Sequence, residues 1–298
     1  MIGMSRSKVE ERLAIAQVDG RWPNLALAKI AASFNDVSFF SPLEGADVVY
    51  ASKVFLDTPD DPYLPENTVR GGSGYDLKTK LPEEIERMKP DWSLWPEWTK
   101  DIGYSTRGCI RRCAFCNVRE KDGDLRVVAE FADLTTGRSE LILYDSNIIA
   151  APMEHFKALC RDATKAHVRL NFSQGLDARL LTEEHAAILR KSCTVRRKYF
   201  AFDHVGDEEA VRRAVKIMVD AGFHLSDMTF YVLIGFDSNP EEDLYRAELL
   251  RDIGVDPFVM PYDRHDPYQR RFARWVNNYT AFHAMTWPEW QKRFKTPL

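Results

Sequence analysis

The sequence has no run of 18 apolar residues, so no transmembrane helix is expected. Its opening, MIGMSRSKVEERLAIAQVDG, has no apolar stretch before a small-residue cleavage site, which argues against a secretory leader. It has no internal repeat and no low-complexity block. No sign of charge dominates: 41 Lys and Arg stand against 45 Asp and Glu, and a net charge of −4 does not suggest a general nucleic-acid coat. Cysteine is scarce and odd in number, five in 298 residues, and three of the five fall between positions 109 and 116. An exported disulfide scaffold would not look like that; a chain in the reduced cytoplasm with a metal site would. With 45% hydrophobic and 29% charged residues, the composition is that of a soluble globular chain of one or two domains, and disordered and fibrous classes are set aside.

Hydrophobic patterning divides the chain into four parts. Residues 1–57 read as a small Rossmann-like α/β layer. Strands are expected at 12–18, 37–41 and 47–55, and a helix at 23–34 carries Leu25, Leu27, Ile30 and Phe34 near helical spacing. Residues 58–99 hold six prolines and the run Gly71-Gly72-Ser73-Gly74, and read as a connecting segment fastened by Trp92, Trp95 and Trp98. Residues 100–262 alternate strands (102–106, 140–145, 168–172, 198–203, 228–235, 257–261) with helices (153–164, 182–191, 207–221, 240–252). Thr182 and Asn239-Pro240 mark helix starts, and Gly222 and Gly254 mark stops. Six units are too few for a complete eight-fold barrel; on pattern alone a partial barrel and an open doubly wound sheet both fit, and both bind ligands at the C-terminal ends of their strands. The last part, 263–298, is basic and aromatic. Residues 264–298 carry +5, which leaves −9 on the rest of the chain, and hold eight aromatics. Phe272, Trp275, Val276 and Tyr279 fall on one helical face, and Thr286 with Glu289 forms a capping-box pattern. Such a tail either stacks single-stranded nucleic acid or packs its aromatics on the body, with Arg270, Arg271 and Arg274 toward solvent.

The densest chemistry lies in Gly103-Tyr-Ser-Thr-Arg-Gly-Cys109-Ile-Arg-Arg-Cys113-Ala-Phe115-Cys116. Thiolates are soft ligands for iron–sulfur clusters or zinc. Three in one loop can hold three corners of a cubane and leave the fourth iron open, as catalytic metal sites leave a position open. Zinc in a closed structural site wants four ligands; Cys160 and Cys193 are distant in sequence, and no His lies within 35 residues of Cys116.

This C-x3-C-x2-C spacing, with an aromatic before the last cysteine, resembles the signature of the radical S-adenosylmethionine (radical SAM) superfamily, and the βα order over residues 100–262 is similar to that family's partial barrel. The resemblance implies an α/β fold with a partial (β/α)6 TIM-like barrel, flanked by the N-terminal layer and C-terminal helices. It implies a [4Fe–4S] cluster on Cys109, Cys113 and Cys116, and S-adenosylmethionine on the open iron. One-electron reduction from a donor such as flavodoxin or ferredoxin would yield a 5′-deoxyadenosyl radical for hydrogen abstraction. The cofactors supply that reactivity and the protein orients them.

Further site candidates follow from the same resemblance. Phe115 would line the adenine pocket. Asp145 and Asn147, in a D-x-N ending like that of the subgroup related to cobalamin-binding enzymes, would meet the SAM amino group or else cap a helix. Gln174, Asp177 and Arg179 would meet its ribose or carboxylate, where Arg pairs bidentately, or else form a capped turn. Asp203 stands where many relatives carry Glu-Ser, and His204 is the candidate catalytic acid or base. Backbone at Gly235 would approach adenine or make a plain turn. No D-x-H-x-x-G is present to ligate cobalt, so no cobalamin is expected, and two spare cysteines cannot hold an auxiliary cluster. The expected function is therefore a cytoplasmic radical SAM enzyme without a membrane partner. A nucleoside, nucleotide or nucleic-acid substrate is preferred over a small metabolite or peptide on the strength of the tail. A non-catalytic zinc or iron–sulfur module is the alternative from another class.

Overall fold

A computed structural model describes residues 12–294. Most of the residues read for a leader, 1–11, and the last four of the basic tail lie outside the described residues. The chain divides into two compact units, Met1–Gly103 with Ala132–Ser139, and Tyr104–Phe131 with Glu140–Leu298. Residues 58–99 thus belong to the same unit as the N-terminal layer.

The first unit holds β1 (Leu13–Gln17), α1 (Leu25–Ala31), β2 (Val37–Phe39), β3 (Val48–Ser52), β4 (Val69–Gly71), α2 (Glu83–Glu86) and β5 (Asp101–Gly103). The first four strands form a parallel sheet in the order β2-β1-β3-β4, with Leu13 paired to Val37 on one side and Val48 on the other. In such sheets a ligand crevice opens where the order reverses, outside the strand C-termini. Here that place is occupied by the chain's own polar groups. Gln17 donates to the Gly20 and Trp22 carbonyls, Asn24 caps α1 and donates to Ser52 Oγ at 2.9 Å, and Asp19 accepts from the Val54 and Phe55 amides at 2.8 Å each. The tryptophans fasten the Pro-rich segment as expected. Trp92 is buried and donates through Nε1 to Asp101 at 3.0 Å, Trp95 sits edge-on to Phe39, and Trp98 packs on Trp22. Asp101, fully buried, also accepts from the Thr136 amide and hydroxyl. A buried carboxylate is tolerated only with such a set of donors.

The second unit begins with β6 (Thr106–Arg107), α3 (Val118–Asp122) and β7 (Arg126–Val127), a small antiparallel pair. After the short helix α4 (Phe131–Leu134), which belongs to the first unit from Ala132 on, come β8 (Glu140–Leu143), α5 (Met153–Lys165), β9 (Arg169–Phe172), α6 (Glu183–Lys191), β10 (Lys198–Ala201), α7 (Glu208–Asp220), β11 (Met228–Ile234), α8 (Pro240–Ile253) and β12 (Asp256–Pro261). β8 pairs with β9, and β10, β11 and β12 pair in that order, all parallel. Between the two groups, the Leu170 amide donates to the Cys193 carbonyl and the Leu176 amide to that of Tyr199. Five parallel strands therefore follow one another in sequence order. The start signals act as expected: Thr182 forms a capping box with His185, Asn239 one with Glu242, and Gly254 ends α8 at φ +92°.

The expected strand 102–106 is broken instead. It ends at Gly103, the Ser105 and Thr106 amides donate to the Asp145 carboxylate, and Thr106 pairs instead with Val127 in the antiparallel β6–β7 ladder. Along β10–β12 the side chains alternate. Phe200, Phe230, Val232, Ile234 and Val259 are buried on one face, while Tyr199, Tyr231 and Phe258 remain partly open on the other.

The tail forms α9 (Pro267–Val276), α10 (Tyr279–Ala284) and α11 (Trp287–Arg293). Phe272, Trp275 and Val276 are buried as one face, with Trp287 packed 5.2 Å from Phe272 and 5.4 Å from Trp275. Tyr279 leaves that face: α9 ends at Asn277 and Asn278 caps a new helix, so Tyr279 is 67% exposed. The Asn277 amide group pairs with both N–H and C=O of Val259 on β12, supplying the hydrogen bonds a neighbouring strand would give. Most of the tail's aromatics are thus packed, while Tyr279 and Phe294 stay exposed. No helix among the described residues is long and apolar enough to cross a membrane.

Candidate functional site

The cysteine loop leaves β6 through Gly108 and ends at α3. Gly108 sits at φ +81°, and a Cβ there would run into the Asp124 carbonyl, so only glycine lets the two arms of the loop approach. The base is closed by the Cys109 amide on the Gly123 carbonyl and by Arg119 Nη1 on the Cys109 carbonyl at 3.1 Å. All three cysteines are free thiols. Cys109 is buried, Cys113 half-buried and Cys116 exposed. Burial pushes the Cys113 thiol up, the Arg179 guanidinium pulls it down, and Cys116, Cys109 and Asp203 push it further up. Among the described residues no three His, Cys, Asp or Glu side chains are gathered closely enough to hold a metal ion. In kind, the donors fit a soft metal: three thiols share one loop with no carboxylate or imidazole between them.

The expected polar partners divide by what they touch. Asp145 is buried, and its carboxylate accepts from Ser105 Oγ at 2.6 Å, Thr106 Oγ1 at 2.6 Å and both backbone amides. Burial raises its pKa against those four donors. It therefore ties β6 to the end of β8. Asn147, 4% exposed, donates through Nδ2 to Asp177 Oδ2 at 3.0 Å and to Cys109 Sγ at 3.8 Å, while its Oδ1 is buried without a partner. Asp177, past β9, accepts from Arg111 Nε at 3.1 Å and Arg179 Nε at 2.8 Å as well. Burial alone would raise the Asp177 pKa; the hydrogen bond and charge of Arg179, the charge of Arg111 and the Asn147 amide outweigh it and hold it down. Arg179 also reaches Asp207 at 3.4 Å.

The remaining candidates are more loosely placed. Gln174 is exposed and donates through Nε2 to its neighbour Ser173 Oγ at 3.5 Å. Asp203 accepts from the Leu233 amide at 2.9 Å, and burial raises its pKa. His204 is exposed and uses Nδ1 to cap the turn at Gly206, the role of a helix-start residue. Gly235, at φ +78°, has Gln269 lying where a Cβ would project, so glycine is needed there for packing whatever else its backbone meets. Phe115 is 37% exposed and sits edge-on to Phe236 at 5.8 Å, which in turn meets Tyr262 at 4.9 Å.

The arrangement joins the loop to the C-terminal ends of three strands, through Asn147 after β8, Asp177 after β9 and Phe236 after β11, with Tyr262 after β12 packed on Phe236. Asp203, after β10, lies close enough to act on the Cys113 thiol. Arg111 was not singled out from sequence; its place between Cys109 and Cys113 was the available signal.

The depressed Asp177 pKa has a consequence for stability. A carboxylate whose folded pKa lies below its unfolded value stabilises the fold above that unfolded value, and the contribution is lost as pH falls through the folded one. Asp177→Asn is therefore expected to cost about 2 kcal/mol at about pH 7 and progressively less below about pH 4, measured by urea unfolding across that range.

A scan against protein-family models and a search of the curated proteins give no match to this chain.

Proposed function

We propose that the chain is a radical SAM enzyme whose second unit curls its five sequential parallel strands into a partial barrel. The observation that carries this reading is the convergence on one three-thiol loop of side chains from the C-terminal ends of successive parallel strands, where such sheets bind their ligands. Cys109, Cys113 and Cys116 would hold a [4Fe–4S] cluster, which supplies the electron that cleaves S-adenosylmethionine. Asp177 gathers Arg111 and Arg179 beside the loop, and a guanidinium in that position suits the carboxylate of an amino-acid moiety. Phe115 and Phe236 offer ring surface against the adenine.

For the substrate, support now comes from the open face of β10–β12 rather than from the tail. Tyr199 and Tyr231 stack at 5.2 Å and 5°, with Phe258 edge-on at 6.0 Å. Burial pushes the Tyr231 phenol up to about 12, so it stays neutral and donates to the Ser173 carbonyl at 3.0 Å. Such a face favours a planar ring, as in a nucleoside, over a peptide.

The test is anaerobic reconstitution with iron and sulfide, then dithionite and S-adenosylmethionine. The expected products are methionine and 5′-deoxyadenosine. A colourless protein holding one tightly bound zinc and forming neither product would overturn the reading.

A further inference from the structure

We infer that Asn147 is a hydrogen-bond donor to the Cys109 thiolate that raises the reduction potential of the centre held by the loop, and that Asp177 positions it. The inference rests on the metal-centre reading above. Its geometry comes from one amide. Both Asn147 contacts, Asp177 Oδ2 at 3.0 Å and Cys109 Sγ at 3.8 Å, are made by Nδ2. A primary amide has two N–H groups, so both contacts can be made at once.

The orientation is not arbitrary. Turning the amide over would place Oδ1 against the Asp177 carboxylate, two acceptors facing each other. Asp177 cannot rotate away to relieve this, because Arg111 and Arg179 both hold its oxygens. The carboxylate therefore selects the orientation in which Asn147 presents N–H to sulfur. The cost is visible: Oδ1 is left buried without a partner in a residue only 4% exposed. A buried acceptor of that kind calls for an explanation beyond packing. The N–H directed at Cys109 provides one.

A donor to a ligating sulfur withdraws charge from it and favours the more negative, reduced state, and hydrogen bonds to sulfur are among the factors that set cluster potentials. Removing the donor should therefore lower the potential.

The experiment is an EPR-monitored redox titration of the reconstituted full chain, wild type against Asn147→Leu and Asn147→Asp, with iron counted in each. Asn147→Leu removes the donor within a similar volume; Asn147→Asp sets a carboxylate against Asp177. At one fixed poise near the wild-type midpoint, the reduced-to-oxidised ratio is expected to fall at least threefold in both variants at full iron content. Asp177→Asn removes a negative charge, which by itself raises the potential, so Asn147→Leu is repeated in the Asp177→Asn background, where it is expected to shift the ratio by less than it does in the otherwise wild-type chain. Because iron content is held equal, a purely structural role would leave the midpoint where it is. Wild-type midpoints in both Asn147 variants would overturn the inference while leaving the metal-centre reading intact. A wild-type chain that takes up no iron would overturn both.

Discussion

Cys113→Ala is expected to reduce iron in the reconstituted protein from about four per chain to background and to abolish formation of 5′-deoxyadenosine. Cys113 is the middle thiol of the loop, and burial and its neighbours Cys116 and Cys109 favour its protonated form, with only Arg179 opposing them. A metal would have to displace that proton, so binding would depend on all three thiols acting together. Two thiols would leave two irons of a cubane without a protein ligand. Cys160→Ala is the matched control. Cys160 is fully buried in α5, and its thiol is pushed up to about 12 by burial, the behaviour of a small apolar core residue. That variant should keep its iron and its chemistry. Iron counted by colorimetry and product by chromatography read both variants; iron at wild-type level in Cys113→Ala would refute the ligand assignment.

The second large effect is on stability. Arg246 and Asp243 on α8 are both fully buried and paired at 2.8 Å. Arg246 Nη1 also donates to the Phe202 carbonyl at 3.1 Å, and Asp243 accepts from Ser238 Oγ at 2.6 Å and from the Tyr268 hydroxyl at 3.1 Å. The network ties α8 to the end of β10, one residue before Asp203, and to α9. Burial raises the Asp243 pKa against the charge of Arg246, so the carboxylate depends on its partner to remain ionised. Arg246→Met is expected to cost about 3–5 kcal/mol, because removing one partner strands the other charge in the interior. Arg246→Met combined with Asp243→Leu should recover much of that loss, since it leaves no stranded charge. Urea unfolding of the single and double variants is the measurement, and a double variant no more stable than the single would contradict this account of the pair.

How far the sequence could be read depended on whether the deciding interactions were local. Helix starts and stops were legible because Thr182, Asn239, Pro240 and Gly254 act on their own first or last turn. The strands of the second unit were legible because buried faces impose runs of Val, Ile, Leu and Phe. The break in strand 102–106 was not, because Asp145, some 40 residues later, captures the Ser105 and Thr106 amides. Tyr279 was misplaced for a local reason: the pair Asn277-Asn278 ends one helix and caps the next. At the site, the spacing of the three cysteines made their shared loop legible. What Asp145 and Asn147 do was not, although both lie in the same D-x-N ending. Asp145 points back to β6, whereas Asn147 reaches the loop and Asp177, and only the folded path of the chain separates those roles. His204 stood out as a candidate acid or base because of its residue type; that its Nδ1 caps the turn at Gly206 was not legible.

The most direct test of the central claim is metal analysis of anaerobically purified and reconstituted protein, with EPR of the reduced sample before and after addition of S-adenosylmethionine. The account predicts about four irons and four sulfides per chain, and a spectrum that changes when S-adenosylmethionine is added, because three thiols leave one iron open to it. One zinc and no iron, or an iron–sulfur spectrum indifferent to S-adenosylmethionine, would contradict it.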